Sequence, residues 1–198
     1  MNCFAAVALI AILTGSTFAS AGSLHDAASA GDVEQVGVLL GQGVDIDARN
    51  DKGETPLILA ILAGHDGAAE LLIEHGAAID GRNVGGFTPL HAAAYAGDAA
   101  MAELLIEGGA DVNDAQNKAG VTPLFPAIEE DHKELTELLL ARGADPGLME
   151  RAGYTPLTRA LLKGHQDIVV SLIEHGAECQ SADVLGKALH EACLAAGK

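Results

Sequence analysis

One phrase, Gly-x-Thr-Pro-Leu, is written four times along the chain, starting at Gly53, Gly86, Gly120 and Gly153. Its threonines stand at Thr55, Thr88, Thr122 and Thr155, a spacing of 33, 34 and 33 residues. Self-similarity at that period marks an array of stacked supersecondary units. No other property constrains the fold as strongly, because a unit this short cannot bury its own apolar face and must lean on its neighbours. The period also points to a repeated surface as the seat of function, and away from a single catalytic cleft.

Each residue of the phrase has a local reason. Thr caps a helix with its hydroxyl, and Pro is tolerated in the first turn, where its missing N–H is not needed. Leu begins the apolar stripe. The first helix is expected to stop at Gly64, Gly97 and Gly164. A second helix follows, carrying Leu71-Leu72, Leu104-Leu105 and Leu138-Leu139, and stops at Gly76, Gly109, Gly143 and Gly176. The polar stretch after each stop forms an outward hairpin into the next unit. The third copy departs from the pattern. Asp131 takes the place of the helix-ending glycine, and Pro126 lies inside the first helix, so Phe125–Asp131 is expected to be irregular. That irregularity is open to two readings, tolerated wear or a shaped site.

The runs Thr55-Pro56-Leu57, Thr88-Pro89-Leu90-His91, Thr122-Pro123-Leu124 and Thr155-Pro156-Leu157 resemble the signature of the ankyrin repeat family. The resemblance implies an all-α solenoid of stacked helix-turn-helix repeats joined by short β-hairpin loops. It covers residues 22–198 as one domain: an N-terminal cap at 23–50, repeats at about 51–83, 84–117, 118–150 and 151–183, and a partial C-terminal cap at 184–198. Leu24–Asp32 reads as a first helix that has lost its Thr-Pro, with Val36–Leu40 as its partner. Ala188–Gly197 reads as a first helix with none after it.

Residues 1–21 stand outside the repeats. An apolar run from Phe4 to Leu13 is broken by Thr14-Gly15-Ser16-Thr17 and followed by the small-x-small triplet Ala19-Ser20-Ala21. This reads as a secretory signal peptide cleaved after Ala21, with an n-region that has no Lys or Arg. The run is shorter than the roughly 20 residues a membrane span needs. The expectation is export to the periplasm of a Gram-negative bacterium, with no stable membrane insertion after cleavage. Cleavage leaves Cys179 and Cys193, which in an oxidising compartment are a disulfide candidate; the alternative is two small buried apolar residues.

The formal charge is −17, from 28 acids and 11 bases, which disfavours nucleic acids and anionic membranes as partners. Glu70, Glu74, Glu103, Glu107, Glu134, Glu137 and Glu174 fall on the second helices, which form the convex back in the family resembled. Arg49, Lys52, Arg82, Lys118 and Arg151 fall in the hairpins, and Arg159 and Lys163 on a first helix, the side where ankyrin proteins usually take their partners. Asp51, Glu54, Asp80, Asp114, Glu129, Glu130 and Glu150 make that side mixed in sign, suited to selective pairing with a protein. Phe87 and Tyr154 occupy the variable residue between Gly and Thr, and Tyr95 shares an inner-surface position with Leu62 and Leu162, interrupted by Glu129. For Phe87 and Tyr154, partner contact competes with local packing against the next hairpin. Phe125, standing where the signature has His, reads as core.

The eight histidines are explained by their places in the repeats: His91 as the signature residue, His25 and His190 as its counterparts in the caps, His65, His132 and His165 opening second helices, His75 and His175 near their ends. No HExxH, CxxC, phosphate loop or Gly-x-Ser-x-Gly elbow is present. The expectation is a non-catalytic binding scaffold, with no metal and no cofactor, monomeric when free, whose partner is another protein, a periplasmic enzyme above all. The resemblance implies two concrete roles. One is binding and inhibiting a hydrolase, as small exported immunity proteins do. The other is supporting a periplasmic catalase in oxidative-stress defence. A structural or assembly adaptor is a third class.

Overall fold

Twelve helices build the computed structural model, which describes residues 21–197. They come in antiparallel pairs: α1 (Ala21–Ala30) with α2 (Val33–Gly41), α3 (Pro56–Leu62) with α4 (Asp66–Glu74), α5 (Pro89–Ala96) with α6 (Ala99–Glu107), α7 (Leu124–Glu129) with α8 (Lys133–Ala141), and α9 (Pro156–Lys163) with α10 (Gln166–Glu174). A single turn, α11 (Ala182–Leu185), leads into the last helix, α12 (Lys187–Ala196). The first helices stack in one row, α1 on α3 on α5 on α7 on α9. The result is the all-α solenoid that the period implies. The signal segment read at 1–21 lies, apart from Ala21, outside the described residues.

The repeated leucine is the axis of the core. Leu57, Leu90, Leu124 and Leu157 are fully buried, as are Leu72, Leu105, Leu139 and Leu172 from the second helices. Between the first helices the contact residues are small: Ala60, Ala93, Ala127 and Ala160 show no exposed surface. A methyl side chain there lets neighbouring helices approach closely while the leucines fill the space behind, at about 1.5–3 kcal/mol of burial each. Thr55, Thr88 and Thr155 cap their helices, accepting from the backbone N–H of Ile58, His91 and Thr158 at 3.3, 3.5 and 3.2 Å.

Thr122 does not cap. In the regular repeats the threonine carbonyl accepts from the residue four on: Leu59 at 3.1 Å, Ala92 at 3.1 Å and Arg159 at 3.0 Å. In the third repeat that residue is Pro126, which has no N–H to give. The Thr122 carbonyl accepts from Phe125 three residues on, at 3.0 Å, and the Phe125 N–H is thereby spent. The Thr122 hydroxyl is left buried without a hydrogen-bond partner, and α7 starts one residue late and spans only six residues. Asp131 then ends the helix in the left-handed region at φ 62°, where every other positive-φ residue described is glycine.

Among the described residues there is no strand, so the hairpins expected as β loops are turns. Each is tied to the next by one backbone bond, Val84 N–H to Lys52 carbonyl, Lys118 to Gly85 and Arg151 to Ala119, each 2.9 Å. Inside the turns an asparagine braces the loop: Asn50, Asn83 and Asn117 each accept with Oδ1 from backbone N–H groups up to four residues on. At the C-terminal end Cys193 is buried and bonded to Cys179 across a Cα separation of 5.9 Å. His190 Nδ1 lies 2.8 Å from the Gln180 carbonyl. Gln180 in turn accepts from the Thr155 N–H and the Thr158 hydroxyl, tying the cap to the fourth repeat.

Candidate functional site

The first helices and the hairpins line a groove that holds a cavity of about 370 Å³ over repeats one to three. The repeat sets four rows of positions along this groove. The variable residue of the phrase contributes Glu54, Phe87, Val121 and Tyr154. The signature position contributes Ile58, His91, Phe125 and Thr158, and its successor Leu59, Ala92, Pro126 and Arg159. The last turn contributes Leu62, Tyr95, Glu129 and Leu162. Through the third repeat the rows are largely apolar, with Ile58, Leu62, Phe87, Tyr95, Phe125 and Pro126 all facing the cavity. Tyr95 is 56% exposed, Leu62 41% and Leu162 53%, so a strip of large apolar side chains lies open to solvent.

Phe87 meets the His91 ring edge-on at a centroid distance of 5.5 Å. His91 is buried, and burial pushes its imidazole below its ordinary value of 6.5. Its Nδ1 accepts from the Thr88 N–H at 3.3 Å, so Nε2 carries the proton and donates to the Val121 carbonyl at 3.0 Å. The ring is thus a neutral strut between repeats. Phe125 fills the same place one repeat on without any hydrogen bond, and it is core, 1% exposed, while also flooring the cavity.

Beyond Pro126 the groove turns charged. Arg159 takes Glu150 with a short guanidinium contact, approaches Glu129 Oε1 with Nε at 3.4 Å, and lies over the Tyr154 ring at 5.6 Å. Glu150 stands where the other hairpins have the bracing asparagine. Two carboxylates therefore share one guanidinium at the end of the cavity.

The residues singled out from the sequence divide accordingly. Leu62, Phe87, Tyr95 and Glu129 come together at the cavity. Tyr154 and Arg159 join Glu129 and Glu150 in the internal cluster, so Arg159 is not a loose surface base. Arg82 is tied into the stack as well. It donates to Asp114 Oδ1 at 2.8 Å and makes a second, shorter contact to Oδ2, with Asp114 buried. The hydrogen bonds and charge of Arg82 hold the Asp114 carboxyl below the usual range, and the same pair raises the guanidinium. The pair braces consecutive hairpins, and a charge reversal at Arg82 would damage the fold before it reported on a partner. Arg49 donates to the Arg82 carbonyl, and Glu54 accepts from Asn50 at 2.9 Å. Asp51, Lys52, Lys118, Arg151 and Lys163 are exposed. Cys179 and Cys193 sit at the C-terminal end, outside the groove.

One contribution went unread in the sequence. Asn83 faces the cavity, with its Oδ1 engaged by Gly85 and Phe87 and its amide Nδ2 without a partner among the described residues. The recurrence of Asn50, Asn83 and Asn117 at the repeat spacing was the available signal. Pro126 supplies a wall of the cavity where its helix loses a hydrogen bond. Among the described residues no group of His, Cys, Asp and Glu is placed to hold a metal ion, and no helix is long and apolar enough to cross a membrane.

Residues 24–116 and 113–183 match the family model for ankyrin repeats in three copies. The chain belongs to the ankyrin repeat family. Ankyrin repeats mediate protein–protein interaction, and the family is typically a non-catalytic scaffold. No curated protein matches this ankyrin chain.

Proposed function

We propose that this ankyrin protein is an exported, non-catalytic scaffold that binds a partner enzyme in the periplasm through the groove over α3, α5 and α7, and restrains it in the manner of an immunity protein. The observation that carries the reading is the open apolar strip of Leu62 and Tyr95 beside the cavity, set against a back whose second helices carry exposed Glu70, Glu74, Glu107, Glu134 and Glu137. Large exposed aromatic and aliphatic side chains around a pocket are what a protein partner uses as anchors. The acidic back keeps the scaffold soluble and leaves one face for recognition. Export rests on the leader pattern of residues 1–21, and the enzyme as partner rests on the resemblance to small exported immunity proteins.

The reading is tested by recovering partners from a periplasmic extract with the tagged protein, beside Tyr95→Glu and Glu107→Lys variants, and assaying the recovered enzyme with and without the scaffold. The expected result is one enzyme retained by wild type and Glu107→Lys, lost by Tyr95→Glu, and slowed by stoichiometric scaffold. Retention by Tyr95→Glu with loss by Glu107→Lys would overturn the assignment of the face. An enzyme bound but undiminished in rate would overturn the restraining role.

A further inference from the structure

We propose that the groove cavity recognises an apolar side chain joined to a cation, so that the partner presents a hydrophobic residue next to a lysine or arginine. This rests on the reading that the groove is the binding face, and it specifies what that face selects.

The walls set the apolar half. Leu62, Phe87, Tyr95, Phe125 and Pro126 line a space of about 370 Å³, and Asn83, Thr88, His91, Glu129 and Glu150, with the Tyr95 hydroxyl, bring polar groups to it. His91 is neutral and spends both ring nitrogens inside the stack. Asn83 Nδ2 remains as a donor for a backbone carbonyl of the incoming segment.

Charge at one end sets the other half. No lysine or arginine lines the cavity, whereas Glu129 and Glu150 both do. Arg159 is the cation in contact with these carboxylates, and it serves both. On the next element, α8, Lys133 is turned to Glu137 and Asp167 at 3.9 and 4.0 Å. One unit of negative charge therefore remains uncompensated at the cavity mouth. Glu129 is the carboxylate that can offer it, since its side chain is 40% exposed while that of Glu150 is 9%. It also stands in the row of Leu62 and Tyr95, so the charge lies in line with the apolar strip. Tyr95 lines the same cavity as Glu129 and brings an aromatic ring to it, a favourable kind of partner for a desolvated ammonium or guanidinium. An anionic ligand of the same shape is repelled by the same carboxylate.

The test uses three small probes of one shape: phenethylammonium, phenethyl alcohol and phenylacetate, titrated into isotope-labelled protein and followed by amide shifts. The expected result is saturable shifts within 87–96 and 121–130, with phenethylammonium binding about tenfold tighter than phenylacetate and the alcohol between them. Glu129→Gln should collapse that discrimination to about twofold, while Glu107→Lys leaves it intact. Equal affinities for the three probes, or shifts confined to α4 and α6, would overturn the proposal. So would discrimination unchanged by Glu129→Gln in a folded variant. The two readings fail separately. If a protein partner is captured through Tyr95 while the probes show no charge preference, the scaffold stands and the cation requirement falls. If the probes discriminate and no partner needs Tyr95, the cavity chemistry stands and the scaffold reading falls.

Discussion

The second and third repeats carry the same phrase and differ in how they satisfy it. In the second, Thr88 caps α5, His91 bridges to Val121, and Gly97 turns the chain beneath His132, whose ring lies 2.5 Å from where a Cβ would be. In the third, Pro126 withholds one N–H, Thr122 loses its capping role, Phe125 replaces the bridging His, and Asp131 turns the chain with a side chain in place. His165 answers that change by meeting Asp131 Oδ1 at 3.0 Å. The core leucines are equally buried in both. The array keeps its stacking residues and relaxes its helix ends, and the relaxed helix is the one that brings Phe125, Pro126 and Glu129 to the cavity.

The largest expected effect tests the shared core. Leu90→Ala and Leu124→Ala should each cost about 2–5 kcal/mol in urea unfolding, and by similar amounts. A much smaller cost for Leu124→Ala would mean that the third repeat is loosely packed throughout, and the comparison would fail. Next comes the helix-ending position. Gly97→Asp should cost about 3 kcal/mol, combining left-handed strain with collision against His132. Asp131→Gly should gain about 0.5–1 kcal/mol, since relief of strain outweighs an exposed ion pair with His165. Destabilisation by Asp131→Gly would show that the His165 contact matters more than the backbone.

The caps separate the repeats on a smaller scale. Thr88→Ala should cost about 1 kcal/mol. Thr122→Val should be neutral or slightly stabilising, because it removes a buried hydroxyl that has no partner. A cost for Thr122→Val comparable to that of Thr88→Ala would contradict the spent Phe125 N–H.

The smallest effect is with pH. The folded-state value of His91 is depressed below 6.5, so its contribution to stability is complete above 6.5 and is lost as the pH falls through the folded value. The urea midpoint of wild type should therefore fall as the pH drops below 6.5. In His91→Phe, which copies the third repeat, that part of the slope should disappear. Asp114, depressed by Arg82, adds a further loss only as the pH falls below its ordinary 3.8.

How much of this was legible in the sequence follows from the range of the forces. The period, the leucines and the glycine stops are local or strictly repeated, and they yielded the solenoid and the groove rows directly. Pro126 and Asp131 were readable as irregular, because a missing N–H and a missing glycine are properties of the residues themselves. The transfer of the Thr122 bond followed from the same chemistry, but only once the neighbouring repeats supplied the contrast. The pairing of Arg82 with Asp114 and of Arg159 with Glu150 was not legible. Many hairpin charges lie within reach of one another, and side-chain packing in three dimensions chooses among them. Bases that the sequence offered to a partner are in part consumed by the stack, and the free apolar strip carries more of the recognition.

The groove over repeats one to three is the face offered to the partner. Amide hydrogen exchange of the scaffold, alone and with its captured partner, measures it most directly. The expected result is new protection in Phe87–Ala96 and Val121–Glu130, with α4 and α6 unchanged. Protection confined to α4 and α6, with the groove exchanging as in the free protein, would contradict it.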